Sequence, residues 1–105
     1  MMKAKSSFKL ALLQMKTTSD KTHNLKLAES LVRKAASQGA NVIMLPEMFV
    51  CPYQKNYMLA NAETAQLGQS GSTTANLLSS LAKETSTYII GGSIPELTEH
   101  TDPTK

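Results

Sequence analysis

The residue with the clearest chemical position is Glu47, which closes the run Val42-Ile-Met-Leu-Pro-Glu47. Four apolar residues in a row, bounded by Asn41 and Pro46, predict a buried parallel strand that stops at the proline. A carboxylate just beyond such a strand is expected at the rim of the buried layer. Desolvation there raises a carboxyl's pKa toward the range in which it serves as a general base. The same position also suits a solvated strand-end glutamate, and position alone leaves both readings open. Cys51 follows in the next turn of sequence, directly before Pro52, and invites a nucleophile reading. It has no flanking His, and Lys55 is the only close cation, so no neighbour in sequence lowers its pKa. An inert, partly buried thiol is the better expectation.

The other candidates are weaker. His23 falls in the first turn of a predicted helix and His100 in a polar tail, and with a single Cys there is no paired spacing for a metal site. Gly91-Gly92-Ser93 has the look of a phosphate loop, but it lacks both the strand-to-helix context and the Lys-Ser/Thr ending. The methionines, among them Met15, Met44, Met48 and Met58, read mostly as core filler.

The elements that must position Glu47 can be read around it. Lys9-Leu-Ala-Leu-Leu-Gln-Met15 is a nearly continuous apolar run, expected as a strand covered on both faces. Ser19, Asp20 or Thr22 can cap a helix running from about Asp20 to Gln38. Its apolar positions Leu25, Ala28, Leu31, Val32, Ala35 and Ala36 form one stripe, and Gly39 takes the left-handed C-cap place. Strand, helix, strand with short links is a right-handed βαβ unit, and residues beyond its strand C-termini line the ligand crevice. Glu47 stands there. A short helical piece is expected through Asn56 to Ala65, with loops at Cys51-Pro-Tyr53 and Leu67 to Gly71. Ser72 then caps a second helix to about Thr85, with Leu77, Leu78, Leu81 and Ala82 buried. Thr87 to Ile94 makes a third strand whose glycines permit close backbone approach. The tail from Pro95 is polar and carries Glu99 and Asp102.

Composition bounds the answer. The chain has 105 residues, 41% of them hydrophobic and 18% charged, which is globular composition for one domain or less. The net charge of +3 comes from scattered lysines, which argues against a nucleic-acid binder. One cysteine rules out a disulfide framework and points to a reducing compartment. No stretch approaches the roughly 20 apolar residues of a membrane span, and the N-terminus has neither signal nor transit character. An intracellular, cytoplasmic protein without a membrane partner is the expectation.

Taken in order, Leu10-Ala-Leu-Leu-Gln-Met15, the helix Leu25 to Gly39, Val42-Ile-Met-Leu-Pro-Glu47-Met-Phe49, Cys51-Pro-Tyr53 and Tyr88-Ile-Ile-Gly-Gly-Ser-Ile-Pro-Glu96 resemble the nitrilase (carbon–nitrogen hydrolase) superfamily. Within it, the Cys-Pro-Tyr and Gly-Gly-Ser-Ile-Pro-Glu pieces are most similar to the omega-amidase branch. The resemblance implies an α/β fold, the N-terminal βαβαβ part of a nitrilase-type α-β-β-α sandwich. It implies a subunit that pairs through helices into a homodimer. It also implies a Glu-Lys-Cys triad needing no metal or organic cofactor, with the family's Glu falling on Glu47.

The family's Lys and nucleophilic Cys belong to segments with no match here. Lys105 follows Glu96 too soon, and Cys51 lies in the loop after the Glu. Residues 1–105 therefore read as a partial domain, truncated before the Lys and Cys. The implied reaction is hydrolysis of the terminal amide of a small dicarboxylate monoamide, such as 2-oxoglutaramate, with Tyr53 shaping the pocket or standing as a plain loop aromatic. A non-catalytic fragment or interaction module is the alternative. A three-strand piece of such a sandwich should also leave an apolar sheet face bare, in the rows Val42 to Leu45 and Tyr88 to Ile90. A doubly wound nucleotide binder would need a Gly-rich loop where Lys16-Thr-Thr-Ser19 stands.

Overall fold

The structure, a computed structural model, describes residues 7–97. Six elements follow in chain order: β1 (Leu10–Leu12), α1 (Lys21–Ser37), β2 (Val42–Met44), α2 (Lys55–Asn61), α3 (Thr73–Thr85) and β3 (Tyr88–Ile90). The three strands are parallel in the order β1-β2-β3, so β2 is central and each strand pairs with its successor. This is the expected βαβαβ arrangement.

The helix α1 forms where the apolar stripe and the caps agree. The Asp20 carboxylate accepts from the His23 amide at 3.1 Å, which selects Asp20 among the three candidate caps. Gly39 ends it at φ +92°, a conformation that favours glycine. Ala28, Val32 and Ala35 are buried with Ile43 of β2 and Leu81 of α3 in one core. The two helices touch each other, and an ion pair joins Arg33 of α1 to Glu84 of α3 across their exposed sides.

Both long helices cover the same sheet face, the one bearing Ala11, Ile43 and Ile89. The register sets Leu10, Val42 and Tyr88 in one row and Leu12, Met44 and Ile90 in the next, on the opposite face. Leu10, Leu12, Met44, Tyr88 and Ile90 are exposed there, and Val42 is half-buried. The expectation that β1 is covered on both faces is therefore corrected among the described residues. The bare apolar face is present as expected, although Ile43 and Leu45 are buried and do not belong to it.

The strands are shorter than their apolar runs. Beyond the ladders, Leu13 N–H still donates to the Met44 carbonyl at 3.0 Å, and Leu45 N–H to the Ile90 carbonyl at 2.9 Å. The third strand stops at Ile90 instead of Ile94: Gly91 faces Leu78 of α3, and Gly92, at φ +63°, packs against the Leu45 and Pro46 backbone just beyond β2. The helical piece before α3 starts at Lys55 and ends at Asn61, earlier at both ends than expected. Ser72 precedes α3 as expected, but its side chain makes no capping bond to the helix. Of the sequence candidates, Glu99, His100, Asp102 and Lys105 lie outside the described residues.

Candidate active site

Central strand β2 delivers Glu47 to the C-terminal edge of the sheet. Its last ladder partner is Leu45, after which Pro46 removes the next donor and turns the chain outward. Glu47 is exposed, and its carboxylate has no hydrogen-bond or ion-pair partner among the described residues. The desolvated rim expected of it is thus not supplied by residues 7–97. What they supply is a firm base. Met48, Phe49, Val50 and Cys51, the four residues after Glu47, are all buried.

Three contacts hold this turn. Met48 takes φ +50°, one of two non-glycine residues with positive φ in the described chain. Its N–H donates to the Ser93 hydroxyl oxygen at 3.0 Å. Gly92, itself at φ +63°, lies so close to the turn that an added Cβ would sit 2.0 Å from the Pro46 carbonyl oxygen. The expected role of these glycines, close backbone approach, is what the structure shows. Asn24 of α1 makes the third contact. Fully buried, it donates to the Val50 carbonyl at 2.8 Å and the Thr18 carbonyl at 2.7 Å, while its Oδ1 accepts from Thr18 N–H at 2.9 Å. One amide side chain thereby ties the loop after β1 to the loop after β2.

Cys51 is fully buried. Burial pushes its thiol above the ordinary value of 9.0, with the Lys21 charge acting weakly the other way. A protonated, enclosed thiol is a poor nucleophile, in agreement with the inert reading. His23 is exposed on α1, and no cluster of His, Cys, Asp or Glu among the described residues could hold a metal ion.

A second glutamate escaped the sequence reading. Glu63 is buried, pairs with Lys21 Nζ, and accepts from both the amide and the hydroxyl of Thr74, the latter at 2.9 Å. It thereby does the capping that Ser72 does not, placing negative charge at the positive end of α3. Its backbone bridges to the segment after β3, with Glu63 N–H donating to Pro95 and Leu97 N–H donating to Glu63. One signal was available: Glu63 is the only charged residue between Lys55 and Lys83.

Two concavities flank these features. An open depression of about 490 Å³ lies at the ends of β1 and β2, lined by Leu13 to Lys16 and by Pro46. An apolar groove of about 600 Å³ runs between α2 and Pro95 to Leu97, and Tyr53 lines this groove. Tyr53 is absent from the lining of the depression beside Pro46.

Residues 9–104 match the carbon–nitrogen hydrolase family. The chain belongs to that family. Among curated relatives, the mouse omega-amidase NIT2 is 50% identical over 91 residues, covering 87% of this chain and 31% of that protein. The fission yeast hydrolase C26A3.11 is 46% identical over 90 residues, which cover 86% of this chain and 27% of the relative. The crystal structure of Saccharomyces cerevisiae Nit3, a member of branch 10 of the nitrilase superfamily, superposes with a TM-score of 0.75 at 31% identity. That match covers 90% of this chain and 36% of Nit3. The carbon–nitrogen hydrolase chain described here thus spans about a third of the length of these relatives, and its α/β fold is that of the nitrilase superfamily.

Proposed function

We propose that Glu47 is the general base of a carbon–nitrogen hydrolase resembling omega-amidase, and that residues 1–105 are part of its domain. The substrate is the terminal amide of a small dicarboxylate monoamide, hydrolysed to the acid and ammonia. The observation that carries this reading is Glu47 itself: a carboxylate at the end of the central strand, exposed and without a partner among the described residues, followed by a buried stretch of chain, in a member of this family.

The chemistry is acyl transfer through a Glu-Lys-Cys triad. Glu47 takes the proton from the nucleophilic thiol, and the thiolate attacks the amide carbon. The Lys stabilises the tetrahedral oxyanion. Collapse breaks the C–N bond and Glu47 returns the proton to the departing ammonia. Glu47 then takes a proton from water as it attacks the thioester, and returns that proton to the sulfur as the C–S bond breaks, releasing the acid and the thiol. No cofactor enters these steps. The working protein in this reading is a cytoplasmic homodimer. Among the described residues no helix is long and apolar enough to cross a membrane.

The Lys and the nucleophilic Cys have no counterpart in the 105 residues, so this stretch alone releases no ammonia. Its bare sheet face, with Leu12, Tyr88 and Ile90 exposed, favours a non-catalytic role for the isolated stretch. Single-turnover ammonia release by the full-length protein carrying these residues tests the proposal. Activity in the wild type with loss in Glu47→Gln supports it. No release by the wild type, or release from the 105-residue chain that Cys51→Ser abolishes, overturns it.

A further inference from the structure

The chain passes Glu47 through a conformation that methionine does not adopt without help. A non-glycine residue at positive φ is strained and persists only where its surroundings over-determine it. The described residues contain two. Ser86, at φ +55°, is the C-cap of α3, a place where the left-handed conformation is routine. Met48, at φ +50°, ends no helix and follows Glu47 directly. Its strain therefore has a different purpose.

We infer that Ser93 is a positioning residue for Glu47, its hydroxyl holding Met48 in the left-handed conformation that aims the carboxylate at the crevice. This rests on the reading of Glu47 as the general base. Ser93 reaches the turn from the segment after the neighbouring strand β3, accepting from Met48 N–H at 3.0 Å. It can do so because Gly92 presses directly on the Pro46 carbonyl, where any Cβ would collide. Leu45 N–H bonded to the Ile90 carbonyl fixes the two strand ends in the same register. Glu47 is thus bracketed: Pro46 is held by Gly92 on one side, and Met48 by Ser93 on the other. The carboxylate makes no hydrogen bond or ion pair of its own among the described residues, so its aim depends on its backbone neighbours.

The test uses the full-length protein with Ser93→Ala, Ser93→Thr, Glu47→Gln and the Glu47→Gln/Ser93→Ala double variant. Misplacing a reacting group by about 1 Å costs on the order of 100-fold. Ser93→Ala should therefore lower kcat about 10- to 100-fold with KM changed less than about threefold. Peptides covering Met48 should exchange amide hydrogen faster, and Ser93→Thr, which keeps the acceptor, should recover both readouts. In the Glu47→Gln background, Ser93→Ala should cost less than about a further twofold, because a residue acting only through Glu47 has nothing left to position.

A wild-type kcat in Ser93→Ala, or losses that multiply in the double variant, overturns the inference. Faster exchange at Met48 with kcat unchanged also overturns it, since the bond would then be structural only. The two readings fail separately. Full activity in Glu47→Gln removes the general base, whereas an inactive Glu47→Gln beside a fully active Ser93→Ala removes only the positioning role.

Discussion

Glu47 and Glu63 stand in opposite circumstances. Glu63 is enclosed, paired with Lys21 and bonded twice to Thr74 at the start of α3. Both of its carboxylate oxygens have partners, and a proton-transfer role would require breaking those contacts. Glu47 is exposed and its carboxylate is unpartnered among the described residues, while its neighbours Pro46 and Met48 are held. The buried carboxylate joins elements together, while the exposed one is left available. Burial and hydrogen bonding identify a structural glutamate here, and the exposed one is the residue proposed above as the general base.

The most direct way to break this contrast is Glu47→Gln in the full-length protein. Turnover should fall on the order of 10²–10⁴-fold while the thermal midpoint stays within about a degree of wild type. A thermal loss without a turnover loss would reverse the roles of the two residues. Glu63→Ala should do the opposite. It removes the carboxylate paired with Lys21, which keeps only the Asn61 carbonyl and water, and leaves the Thr74 amide uncapped, costing about 2–4 kcal/mol in denaturant unfolding. Activity per folded molecule should be nearly unchanged.

Lys21→Met sharpens the comparison from the other partner. The Glu63 carboxylate keeps both Thr74 bonds, and Lys21 is partly solvated, so the expected loss is smaller, about 1–2 kcal/mol. A loss equal to that of Glu63→Ala would show that the ion pair, and not the helix cap, carries the stability.

Cys51 gives the smallest effect. Its folded pKa is raised, so the folded state favours the protonated thiol. That contribution is fully present below the ordinary thiol range and is lost as pH rises through the raised value. Wild type should therefore lose stability relative to Cys51→Ala as pH rises past the ordinary thiol value, a pH dependence that denaturant unfolding at neutral and alkaline pH checks. Native Cys51 should also resist alkylation until the chain unfolds. Rapid alkylation at neutral pH would reopen its candidacy as a nucleophile.

Much of this frame was legible in the sequence because it rests on local pattern. The stripe of α1, the apolar run of β2 ending in Pro46, and Gly39 at the helix end each report on neighbours a few residues away. The features that escaped are contacts across long separations. Asn24 looks like an ordinary polar helix residue until Thr18 and Val50 are brought around it. Glu63 falls in the short helical piece expected through Asn56 to Ala65 and reads as an ordinary surface charge there until Lys21 and Thr74 converge on it. Ser72 had the right residue type for a cap but spends its hydroxyl on Thr64 and Gln66 instead. Around the candidate site, the placement of Glu47 and the close approach at Gly92 could be read in advance. The positive φ of Met48 could not, because no local signal in its sequence asks for it.

The order β1-β2-β3 also carries a temporal meaning. Each strand pairs with the one made just before it, so the ladder can grow in the direction of synthesis without waiting for a distant partner. At roughly 5–20 residues per second, the segment from Asn41 to Ser93 takes a few seconds to emerge. During that interval Glu47 is already attached to a paired strand, but its turn is not yet locked. Gly92 and Ser93 follow β3 and close the bracket around it, so the geometry of this corner is set only once the third strand has been made.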